Sequence, residues 1–107
     1  MSEEYQVIVE IDKSLPFEDQ YGHGCYVRET WRQNSKIDRR FGPAVTIRHP
    51  STFRPIREEF YDAGKRSRYG GPAVIVYDHA TGRVVMTQYF QEGKEVLPDS
   101  PHLIKGP

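Results

Sequence analysis

Few residues in this chain can do chemistry beyond pairing charges: one cysteine, Cys25, and four histidines. Cys25 and His23 share the segment YGHGCY (21–26). A neighbouring imidazole can lower a thiol pKa and make a nucleophile, and the flanking glycines would leave it accessible. No third residue that would orient the imidazole can be identified, so the nucleophile–base–orienter pattern is incomplete. His49 and His79 fall in the turn clusters HPST (49–52) and DHATG (78–82), and with Asp78 they form the one conceivable cation site. Zinc sites usually show two closely spaced ligand pairs, and this chain shows none, so both are expected to be exposed turn histidines. Glu58 and Glu59 are adjacent, and on a strand adjacent side chains point to opposite faces, where they cannot act as an acid–base pair. Gly70-Gly71 precedes an apolar β-type run rather than a helix and cannot form a helix-terminus phosphate site. The expectation is a non-enzyme with no cofactor and no metal ligands.

The charges say more. The chain balances 15 Lys and Arg against 15 Asp and Glu, so there is no global pull toward nucleic acid or membrane. Residues 1–27 hold six acids and one base, whereas residues 28–68 hold eleven bases and five acids. The basic middle is expected to neutralise the acidic N-terminal third within the fold. The sharper alternative is a basic face for an acidic partner, built from Arg28, Arg32, Arg48 and Arg57 with Tyr61 among them. Arginines interleaved with aromatics on an open sheet can hold single-stranded nucleic acid. Against this, Glu59 shares the row, and cross-strand Arg–Glu pairing explains such a pattern more simply.

The elements that must position these residues come from internal self-similarity. Laid on residues 68–96, residues 39–67 match at nine of 29 positions without a gap, where about two would coincide by chance. Gly42-Pro43-Ala44-Val45 falls on Gly71-Pro72-Ala73-Val74, Arg54 on Arg83, and Gly64-Lys65 on Gly93-Lys94. The aromatic pair Phe60-Tyr61 falls on Tyr89-Phe90. A degenerate copy upstream places Val27, Trp31 and Lys36 in the same frame, with VIVEI (7–11) as its first strand and a loop over 12–24 about eight residues longer than its counterparts. Each unit reads as a β-hairpin: two short runs rich in β-branched and aromatic residues flanking a turn cluster. Pro43 and Pro72 stand at strand starts, where a missing amide proton does least harm. The expected fold is all-β: a single-sheet antiparallel meander of about six strands. It forms one domain over 1–107, with a degenerate repeat 5–38, repeats 39–67 and 68–96, and a tail 97–107.

Side-chain parity then assigns faces. Val45, Ile47, Val74 and Val76 are expected to share a buried face with Val27, Ile56, Val85, Trp31, Phe60 and Tyr89. On the opposite face the arginines of the first units give way to Ile75, Tyr77, Val84, Met86 and Phe90 in the last hairpin. That hairpin would then be apolar on both sides and need a cover. A second chain is the expected cover, a homodimer being the simplest case.

The recurrence of GPAV, a hairpin of about 20 residues, an aromatic pair and GK resembles the MORN-like tandem β-hairpin repeat proteins of bacteria and their phages. The resemblance covers residues 39–96 well and 26–38 in part. It implies a binding scaffold without catalytic residues, and an antitoxin, immunity or inhibitor type of role, since some members are linked to toxin–antitoxin or mobile-element systems. The expected function is a protein–protein interaction module with an unidentified protein partner. The alternatives are a nucleic-acid-associated protein and a small thiol or metal enzyme. The N-terminus is acidic, with no basic and apolar leader pattern, and no apolar run reaches the roughly 20 residues of a membrane span, so a cytoplasmic protein is expected.

Overall fold

The computed structural model describes residues 2–98. Ten strands follow in chain order: β1 (Gln6–Asp19), β2 (Gly22–Gln33), β3 (Lys36–Ile37), β4 (Val45–Arg48), β5 (Pro55–Glu59), β6 (Tyr61–Asp62), β7 (Lys65–Arg66), β8 (Val74–Tyr77), β9 (Val84–Gln91) and β10 (Lys94–Val96). There is no helix among the described residues, and so none long and apolar enough to cross a membrane. The expected meander is the spine of an open antiparallel sheet, with β1, β2, β4, β5, β8 and β9 lying side by side in chain order. Short strands β3 and β10 pair with β2 and β9, and β6 and β7 form a separate two-stranded ribbon.

Tight reversals join β2 to β3, β6 to β7 and β9 to β10. Asn34-Ser35, Ala63-Gly64 and Glu92-Gly93 all hold two successive positive φ values, between 49° and 88°. That is the type I′ geometry whose twist matches a hairpin. The reversals stack, since the Gly64 amide donates to the Ile37 carbonyl at 2.8 Å and the Gly93 amide to Arg66 at 2.7 Å.

Other bonds recur at the same 29-residue interval. Trp31 and Phe60 donate their amides to Ala44 and Ala73 at 2.8 Å, and His49 and Asp78 donate theirs to Arg54 and Arg83 at 3.0 and 2.8 Å. Arg39 and Arg68 give a physical reason for the glycine of each GPAV. Their guanidinium carbons lie 3.7 Å above the Trp31 ring and 4.0 Å above Phe60. Each donates from Nη1 to the proline carbonyl four residues on, at 3.2 Å. A Cβ on Gly42 or Gly71 would stand 3.0 or 3.1 Å from that guanidinium carbon. The glycine therefore makes room for a cation stacked on an aromatic ring.

The face assignment is corrected. Turn bonds pair residue 49 with 54 and 78 with 83, but one extra residue, Ile56 or Val85, then bulges out of each second strand. Ile47 therefore faces Arg57 rather than Ile56, and Val76 faces Met86 rather than Val85. A one-residue bulge exchanges the faces of everything beyond it. One face carries the rows Thr30–Val45–Glu59–Val74–Gln88 and Arg28–Ile47–Arg57–Val76–Met86. Val27, Glu29 and Trp31 lie on the other, with Thr46 and Arg48. The continuous apolar ladders do not form. The buried apolar set is Ala44, Val45, Ile47, Ala73 and Val74, joined by Thr30, Thr46, His49 and Glu59. A sheet 21 Å thin in its shortest dimension offers little more.

Candidate functional site

The residues expected as an arginine face divide. Arg28, Arg32 and Arg57 share one face, with Tyr61 at its end, while Arg48 lies on the other. Most of them are neutralised within the chain. Arg28 Nε meets Asp12 at 2.8 Å, Arg48 meets Glu29 at 3.6 Å, and Arg57 Nε meets Glu59 at 2.6 Å. Glu59 is 8 % exposed and also accepts Arg66 Nη2 at 3.2 Å and the Tyr61 hydroxyl at 2.9 Å. Burial pushes its carboxyl up, but the hydrogen bonds from Arg57 and Tyr61 and the charges of both arginines outweigh that and hold it below its ordinary value. The same bond and burial push the Tyr61 phenol up.

The apolar set of the last hairpin also divides. Ile75 and Tyr77 share a face with Val84, which pairs with Tyr77; Met86 and Phe90 point to the opposite face, where the Arg66 guanidinium stands 5.5 Å from the Phe90 ring. Tyr77 donates its hydroxyl to Glu58 at 2.6 Å, and burial with that bond raises its pKa to about 12. Val84, Val85 and Met86 are exposed.

The segment expected as a 12–24 loop is mostly strand. β1 and β2 form a long hairpin whose pairing breaks only between Ile11 and Pro16. Asp12 stitches that break: its Oδ1 accepts the Ser14 amide at 3.0 Å and hydroxyl at 2.5 Å, and its Oδ2 takes Arg28. These bonds hold its carboxyl down at about 2. His23 and Cys25 pair with Glu18 and Pro16 across the hairpin, and no hydrogen bond joins His23 to Cys25 among the described residues.

The hairpin's extra length carries its tip to the turns of both neighbouring hairpins. Asp19 opens the tip turn, its Oδ1 accepting the Tyr21 amide at 2.8 Å. Its Oδ2 lies 2.9 Å from His49 Nε2 and 3.2 Å from His79 Nε2. The two imidazoles stack with centroids 4.6 Å apart, and Phe17, Tyr21 and Tyr26 ring His49 at 4.5–6.1 Å. His49 Nδ1 accepts the Ser51 amide at 3.0 Å, so that nitrogen is unprotonated and the ring proton sits on Nε2, facing Asp19. Burial pushes the Asp19 carboxyl up, but the Tyr21 amide and His49 more than compensate, leaving it lowered. His49 is fully buried, which corrects the expectation of exposed turn histidines. Asp78 is not the third member of this group, because its Oδ1 caps its own turn through the Ala80 amide at 2.9 Å. His49 Nδ1 makes the equivalent cap 29 residues earlier, to Ser51.

No family model, curated protein or solved structure matches the chain. The sheet carries a second feature at its open edge. Among the described residues β1 pairs on one side only, with β2. Its exposed edge segment carries Val7, Ile8, Val9 and Ile11 at 44, 39, 61 and 65 % exposure. The Trp31 amide points to β4, so Val27, Glu29 and Trp31 bond toward β4 while Arg28, Thr30 and Arg32 bond toward β1. Ile8 and Glu10 therefore spend their backbone groups on Thr30 and Arg28. Val7, Val9 and Ile11 direct theirs outward from the sheet.

Proposed function

We propose that the protein is a β-sheet binding module that takes an extended segment of a protein partner on the open edge of β1. The observation that carries this reading is the outward row Val7, Val9 and Ile11, where unpaired backbone groups coincide with exposed apolar side chains. Natural proteins shield such edges with charge, proline or bulges. Here Pro16 and the Asp12 bulge shield the far half, and Glu10 is the only charge between Gln6 and Ile11. Strand addition uses main-chain bonds for affinity and alternate side chains for specificity. A nucleic-acid role is less well supported, because three of the four arginines that would meet phosphate, Arg28, Arg48 and Arg57, already meet carboxylates.

The test is a pair of proline variants. Val9→Pro removes an outward amide and no ladder bond, so the sheet should keep its circular dichroism and lose little stability, as edge prolines do. Ile8→Pro deletes the ladder bond to Thr30 and should destabilise the hairpin. The unmodified chain should retain a defined protein from nuclease-treated extract, or self-associate in light scattering, and folded Val9→Pro should do neither. Equal binding by both chains, or binding that vanishes with nuclease alone, would sink this reading.

A further inference from the structure

We propose that Asp19, His49 and His79 form a binding site for one divalent transition-metal ion, zinc by ligand type. Two imidazoles and a carboxylate are a common donor set for such ions. They come from three separate turns, yet their ligand atoms lie within 4.8 Å of one another. A tetrahedral zinc with bonds of about 2.0–2.1 Å separates its ligands by roughly 3.3 Å. The Asp19 oxygen stands 2.9 and 3.2 Å from the two Nε2 atoms, close to that separation, so on these two edges of the site an ion needs little movement. Both Nε2 atoms converge on one carboxylate oxygen, and the ion takes the place of the protons between them. Tyr21 holds the other oxygen from behind, the kind of outer support that orients metal ligands.

The ion needs a bare Nε2 on each imidazole, and any second proton a ring carries is released to solvent on binding. In the bound form each neutral imidazole gives Nε2 to the ion and carries its one proton on Nδ1, with Asp19 as carboxylate. At His79 no existing bond is lost, but the Nδ1 proton is left as a buried donor with no acceptor among the described residues, which weakens binding. At His49 the new Nδ1 proton meets the Ser51 amide, so that bond must open. The turn around it remains held by the His49–Arg54 and Phe53–His49 backbone bonds. Metal binding therefore carries a specific mark: loss of one hydrogen bond at Ser51. The ion would fasten the tip of the β1–β2 hairpin to the β4–β5 and β8–β9 turns.

The test titrates the full chain with Zn²⁺, and with Co²⁺ as a spectroscopic probe, following stoichiometry by calorimetry and the Ser51 amide by NMR. The expected result is one ion per chain, a Co²⁺ visible spectrum of imidazole–carboxylate type, and a shifted, faster-exchanging Ser51 amide. His79→Gln, at a position 19 % exposed, should leave the sheet folded and weaken binding by more than the roughly 10–100-fold that loss of an outer-shell partner costs. Absence of 1:1 binding, or equal binding by folded His79→Gln, overturns the proposal. Binding that leaves the Ser51 amide unmoved also overturns it, because His49 is then not a ligand.

Discussion

Replacing Glu59 with glutamine tests what holds the centre of the sheet. Glu59 is 8 % exposed and sits between Arg57 at 2.6 Å and Arg66 at 3.2 Å, each about a third exposed, with the Tyr61 hydroxyl as a third donor. Glutamine keeps the shape and one acceptor. It turns the other oxygen into an amide donor aimed at a donor, and leaves two arginines without their shared counter-charge. Removing one partner of a fully buried pair costs about 3–5 kcal/mol. Water reaches the two arginines here, so about 2–3 kcal/mol is expected. For a chain of this size that lowers the melting temperature by roughly 10–20 °C. Thermal unfolding followed by circular dichroism at neutral pH reads it directly. The pH dependence supplies the sign. Because Glu59 is held below its ordinary 4.5, its contribution is complete above that value and lost as pH falls through its lower folded value. Below that point the glutamine variant and the unmodified chain should converge. A melting temperature within about 3 °C of the unmodified chain at neutral pH would refute the reasoning, since the arginines would then be solvated or paired without Glu59.

Gly71→Ala should cost about 1–2 kcal/mol, because the added carbon displaces the Arg68 guanidinium 3.1 Å away from both Phe60 and the Pro72 carbonyl. Arg68→Ala should cost a similar amount and the double variant little more in urea denaturation; additive losses would disprove the shared cause. Asp12 gives an acid signature: stability should fall as pH drops from about 4 toward 2, as its carboxyl, lowered from 3.8 to about 2, protonates. Asp12→Asn should flatten that part of the acid-unfolding profile, and an unchanged profile would show that the bulge does not depend on the charge.

The elements were legible where local chemistry decides them. The alternation of β-branched and aromatic residues placed the strands, and the GPAV and GK clusters placed the turns. The long β1–β2 hairpin was not legible, because DKSLPFEDQYGHG carries turn-type residues throughout. Its pairing is stabilised by Asp12 reaching Arg28, sixteen residues away. The arginine row was half legible: Arg48 and Arg57 meet glutamates, but Arg28 meets Asp12 instead and Arg48 faces the other way. The approach of His49 and His79 could be anticipated from neighbouring turns, whereas Asp19 could not be named as their partner.

What the sequence determined by itself is the all-β architecture, the 29-residue spacing and the turn positions, because each rests on backbone preferences of residues close in the chain. What the tertiary structure alone decided is which side chains share a face and which turns meet. A single bulged residue, Ile56 or Val85, exchanges the two faces of the strand beyond it. No local pattern marks it, since its position depends on how the hairpin settles between its own turn and the next strand. The Asp19–His49–His79 cluster belongs to the same class. It exists because one hairpin is long enough to reach two others, and that length has meaning only once the strands lie side by side.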